Sequence, residues 1–70
     1  MSEYISNKVY TLRTQKGFTQ EEFAEKVGIT RQTVISIEKG NYTPSVHLAI
    51  KIASVFKLSV EEIFKISYAK

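Results

Sequence analysis

Arg31, Gln32, Ile35, Ser36 and Lys39 are the residues whose types and spacing offer chemistry. At about 100° per residue they lie along the outward side of a short helix predicted over residues 31–39, with Arg31 at the edge. The Arg31 fork can bond guanine O6 and N7 together, and the Gln32 amide can pair with adenine N6 and N7. Ile35 is a candidate partner for a thymine methyl, which accounts for an apolar side chain on a wet face. A merely solvated helix more often carries Glu–Lys pairs there. An amide, a hydroxyl, two cations and one isoleucine instead suit base edges.

Other chemistry is poorly served. The chain has no cysteine and no Cys/His spacing that could hold zinc, so neither a thiol nucleophile nor a structural metal is expected. No Gly-rich phosphate loop occurs, and no cofactor is expected. His47 is the single histidine and has no Ser, Cys or carboxylate arrangement around it, so it reads as a surface residue. Glu21 and Glu22 sit where the positive end of a helix dipole favours carboxylates, which is reason enough for them. The sequence therefore reads as that of a protein without enzymatic activity.

The element that must present the face is the stretch from Gln20 to Lys39. Phe23, Ala24, Val27, Ile29, Val34 and Ile37 have the spacing of two short helices packed on each other. Thr19 and Glu22 form a capping box, and Phe18 staples onto Phe23. Ala24 is small because the following helix must pass close to it. Gly28 suits the left-handed end of the first of these helices. Thr30 caps the next one, with Val34, Ile37 and Glu38 turned away from the outward face. This is the pattern of a helix-turn-helix.

The remaining elements are expected to be helical as well. Ile5, Val9 and Leu12 form one stripe of a first helix, beginning near Glu3 and stopping at Gly17. After Gly40, the loop GNYTPS carries Asn41, Tyr42 and Thr43, whose amides and hydroxyls either hold a phosphate or turn the chain. Ser45 caps a fourth helix with apolar positions at Val46, Leu48, Ala49, Ile52, Ala53 and Phe56. Ser59 and Glu62 make a second capping box for a short fifth helix carrying Ile63 and Phe64. The tail keeps apolar residues almost to its end, which is unusual for a terminus. The expected fold class is all-α, with five helices in one domain over residues 1–70 and a core from about 4 to 65.

Seventy residues lie near the lower limit for a chain that folds without staples, so the core must come from tight helix packing. The net charge of +3 is weak evidence for a polyanionic partner by itself. No apolar run is long enough to span a bilayer, and the expected location is the cytoplasm.

With these residues in place, the chain resembles the phage-repressor and Cro-like helix-turn-helix family, also called the Xre family. The resemblance rests on LRTQKGFTQEEFAEKVGITRQTVISIEKGNYTPS, followed by LAIKIASVF and LSVEEIF. It implies a cytoplasmic, bacterial or phage-encoded regulator, associated with the nucleoid and binding double-stranded DNA, most often as a repressor. It implies that Gln20 binds a phosphate and supports the recognition helix, and that Arg31, Gln32 and Ser36 reach base edges. Asn41 and Tyr42 match loop positions near the DNA backbone. With Thr30, Lys39 and Thr43 they complete the expected phosphate contacts. Arg13 and Glu38 match an arginine–glutamate pair tying the first helix to the third. Two positions depart from the pattern: Ile35 stands where a small or polar residue is usual, and Lys57 where glycine or asparagine often ends the fourth helix. Proteins of this kind usually dimerise on a two-fold symmetric site, and Phe64, Ile66 and Tyr68 are candidates for the homodimer patch. The competing expectations are a tail folded back over the chain's own first helix, and an antitoxin or adaptor-type interaction module.

Overall fold

In the computed structural model, which describes residues 2–69, Ile5 does not belong to the first helix. The chain opens with a strand, β1 (Ser2–Asn7), and the first helix, α1 (Val9–Gln15), is correspondingly short. Asn7 makes the switch. Its Oδ1 accepts from the Val9 N–H at 3.0 Å, and its Nδ2 donates to the Ile37 carbonyl at 3.0 Å. A side chain that satisfies an orphan helix donor in this way favours a helix start just after it.

The tail is a strand too. β2 (Phe64–Ala69) pairs antiparallel with β1, from Asn7 opposite Phe64 to Ser2 opposite Ala69. Among the described residues, the all-α expectation is therefore corrected to five helices plus one two-stranded sheet that pairs Ser2–Asn7 with Phe64–Ala69. Phe64, Ile66 and Tyr68 fall at i, i+2 and i+4, a strand period that puts them on one face. Phe64 accordingly leaves the fifth helix, which is only α5 (Val60–Ile63). On the opposite face Ser6 and Ser67 share a hydroxyl hydrogen bond of 2.8 Å.

Between the strands lie α2 (Gln20–Val27), α3 (Arg31–Glu38) and α4 (Val46–Phe56). They meet in a core built on Phe23, Val27, Val34, Ile37, Ile52 and Phe56, closed by Val9 from α1 and Ile63 from α5. Phe23 and Phe56 stack with ring centroids 5.3 Å apart. Side chains of this size contribute about 1.5–3 kcal/mol each when fully buried. Val46, expected among the apolar positions of its helix, instead points outward and is 77% exposed. At the end of α4, Lys57 adopts the left-handed conformation with φ 56°. Among the described residues, no helix is long and apolar enough to cross a membrane.

Candidate nucleic-acid interface

Local capping fixes where α2 and α3 begin. The Thr19 hydroxyl accepts from the Glu22 N–H at 3.0 Å, and the Glu22 carboxylate accepts from the Thr19 N–H at 2.8 Å. Those bonds hold the Glu22 carboxyl below its ordinary value, the backbone amide of Thr19 being the larger cause and its hydroxyl the next. The same arrangement at Ser59 lowers the Glu62 carboxyl. Gly28 ends α2 at φ 74°, and the Ile29 N–H reaches back to the Ala24 carbonyl at 3.0 Å. A Cβ at Gly28 would lie 3.1 Å from the Lys51 ammonium, a flexible group that can shift aside, so it is the left-handed φ that calls for glycine. Thr30 then caps α3, its hydroxyl accepting from the Thr33 N–H at 3.1 Å and meeting the Thr33 hydroxyl at 3.0 Å.

With Val34 and Ile37 buried, α3 turns its other side to solvent. Arg31, Gln32 and Lys39 are exposed, while Ile35 and Ser36 are half-buried rather than standing free. Ile35 is thus less of an apolar intrusion on a wet face than the sequence implies. A polar cleft runs between the starts of α2 and α3, lined by Thr19, Gln20, Glu21 and Arg31.

Behind this face, Arg13 and Glu38 lie together with side chains only 9% and 6% exposed. Arg13 Nε donates to Glu38 Oε2 at 2.6 Å, and Nη2 donates to Oε1 at 3.3 Å. The remaining arm, Nη1, donates to the Phe18 carbonyl at 2.7 Å in the turn between α1 and α2. The Tyr10 ring lies under the guanidinium, 5.4 Å from centroid to Cζ. Gln20 joins the group by donating Nε2 to Glu38 Oε1 at 3.1 Å. The resemblance already implies that Gln20 supports the recognition helix, but that its partner there is Glu38 emerges only through tertiary packing.

Beyond α3, backbone bonds use up part of the loop. The Gly40 N–H donates to the Ile37 carbonyl at 3.0 Å and the Asn41 N–H to the Ser36 carbonyl at 2.9 Å. Asn41 therefore offers its side chain, not its amide, to any ligand. Tyr42 and Thr43 are exposed. From Thr43 the surface turns apolar, in a groove of about 210 Å³ lined by Ile5, Thr43, Pro44, Val46, Ala49, Val60 and Phe64. Ile66, directly opposite Ile5 in the sheet, is 58% exposed, Tyr68 is 57% exposed, and Phe64 packs partly against the core. The groove was not visible in the sequence, since Ile5 reads there as helical and Val46 as core. The Asn7 tie was missed too, although an asparagine two residues ahead of a helical valine is a usable signal.

Residues 9–63 match the model of a helix-turn-helix family. The uncharacterized HTH-type transcriptional regulator YgzD of Bacillus subtilis (strain 168) is 50% identical over 60 residues, 86% of this chain and 91% of that protein. The cryptic phage CTXphi transcriptional repressor RstR of Vibrio cholerae is 29% identical over 59 residues, 84% of this chain and 53% of the repressor. In solved structures, the restriction-modification controller protein C.AhdI from Aeromonas hydrophila is similar, with a TM-score of 0.72 and 31% identity. That match covers 79% of this chain and 83% of the controller.

Proposed function

The chain belongs to the helix-turn-helix family, and on that premise we propose that it represses transcription by inserting α3 into the major groove of a specific operator. It is a DNA-binding transcriptional regulator. The observation that carries the finer reading is the division of labour around α3. Arg31, Gln32 and Lys39 stand in solvent, while Thr30 and Glu38 are engaged in holding the helix at its two ends. Side chains left unbonded on a rigid support are suited to reading base edges. Arg31 takes guanine, Gln32 adenine, and the half-buried Ile35 and Ser36 fill against the bases between them. Gln20, Thr30, Lys39, Asn41, Tyr42 and Thr43 flank this face and contact phosphates, Thr30 and Asn41 through groups their capping bonds leave free.

One α3 spans only a few base pairs, too few for specificity in a genome. The apolar groove supports a second copy of the chain as its occupant, with Val46, Ile66 and Tyr68 exposed around it. Two copies about a two-fold axis would set half-sites about 34 Å apart on one face of the DNA. Phe64, which lines the groove while packing partly against the core, stays in the expected dimer patch, and Val46 joins it.

Selection of bound duplexes from a random pool, followed by competition at fixed salt, tests the reading. A two-fold symmetric consensus is expected. Gln32→Ala should relax the preference at one base pair at a cost of about 1–3 kcal/mol. Equal losses on the selected and random duplexes would defeat the base-reading assignment. No enrichment of any sequence would favour an adaptor-type module instead.

A further inference from the structure

The ion pair behind α3 does more than join two helices. Glu38 accepts three hydrogen bonds, two from Arg13 on α1 and one from Gln20, the first residue of α2. A carboxylate can only accept, so it dictates which end of the Gln20 amide faces it. The nitrogen must point inward, with one N–H committed to Oε1. The second N–H and the amide oxygen take no bond among the described residues, and Gln20 lines the cleft shared with Arg31. Glu38 is itself held by the Arg13 fork, and Arg13 in turn by the Phe18 carbonyl. The side chain at the mouth of the cleft is therefore oriented by a nearly buried chain of bonds anchored in α1 and in the turn before α2.

We propose that Glu38 is a positioning residue for DNA binding: it presets the Gln20 amide so that its free N–H donates to a phosphate oxygen. This rests on the reading that Gln20 meets the DNA backbone. Preorganisation of this kind removes the ordering cost that a free glutamine would meet on binding. The phosphate contact carries no sequence information, so the effect is felt equally on every duplex. Glu38 touches no DNA. Its influence on affinity passes through Gln20, whereas its influence on folding passes through Arg13.

The test is a double-mutant cycle on duplex affinity, at a temperature where circular dichroism shows every variant folded. Glu38→Gln keeps the side-chain length and one acceptor for Arg13. It is expected to weaken selected and random duplexes alike by roughly three- to tenfold, the effect of freeing one long side chain. In a Gln20→Ala background the same substitution should change affinity by less than about twofold. A loss of equal size in both backgrounds would overturn the proposal while leaving the phosphate contact intact. Gln20→Ala without effect would overturn the phosphate reading and the positioning role together. If Glu38→Gln does not fold, relaxation of the side-chain amides in the wild-type protein decides. The Gln20 amide should be ordered, unlike those of the exposed Gln15 and Gln32. A Gln20 amide as mobile as those two would overturn the proposal.

Discussion

Arg13→Ala removes the guanidinium that Glu38 depends on, and the structure shows how much is stranded. Glu38, whose side chain is only 6% exposed in the intact pair, keeps the single bond from Gln20, and the Phe18 carbonyl loses its donor. Removing one partner of a buried pair costs about 3–5 kcal/mol, because the remaining charge is neither paired nor well hydrated. A domain of this size has roughly 3.5–10 kcal/mol of stability in all, at about 0.05–0.15 kcal/mol per residue. The variant is thus expected to lose from a third of its stability to all of it. At about 4–8 °C per kcal/mol, the fall in Tm is roughly 12–40 °C. Thermal unfolding followed by circular dichroism reads this directly. The difference should persist in 1 M salt, since a buried pair is screened far less than an exposed one. Replacing both residues, Arg13→Met with Glu38→Leu, should recover most of the Tm, because an apolar pair of similar volume leaves no buried charge. A Tm within about 4 °C of wild type for Arg13→Ala, under about 1 kcal/mol, would refute the reasoning.

Lys57 sits at φ 56°, where a Cβ is penalised, so Lys57→Gly should raise stability by about 0.5–1 kcal/mol after the added freedom of glycine in the unfolded chain is subtracted. A lowered Tm would contradict this. Glu22 and Glu62 are both held below the ordinary carboxyl value of 4.5, so their capping bonds contribute fully above that pH. The contribution is lost as pH falls through their lower folded-state values. Acid unfolding of a Glu22→Gln, Glu62→Gln variant should therefore show a flatter fall in stability below 4.5, and an unchanged acid limb would remove the argument. Val46→Asp places a charge in the apolar groove without touching the core, since Val46 is 77% exposed. Sedimentation at several concentrations should give a monomer that folds as well as wild type and leaves an unpaired footprint on DNA. A wild type that is itself monomeric at high concentration and on DNA would rule the two-fold assembly out.

What the sequence determined by itself is local. Capping boxes at Thr19 and Ser59, the cap at Thr30 and the left-handed glycine at 28 each act within a few residues, so α2, α3 and α5 begin where those side chains put them. The apolar stripe of α3 likewise decides that Gln32 faces out and Ile37 faces in. The two ends of the chain were misread for the complementary reason. Ile5 fits a helical stripe with Val9 and Leu12 as well as it fits a strand, and no turn joins Ser2–Asn7 to Phe64–Ala69. Only a partner brought from the far end of the chain satisfies the backbone of each segment as a strand. The Gln20–Glu38 bond and the apolar groove have the same origin. Each depends on side chains that share no sequence neighbourhood and meet only after the helices have packed.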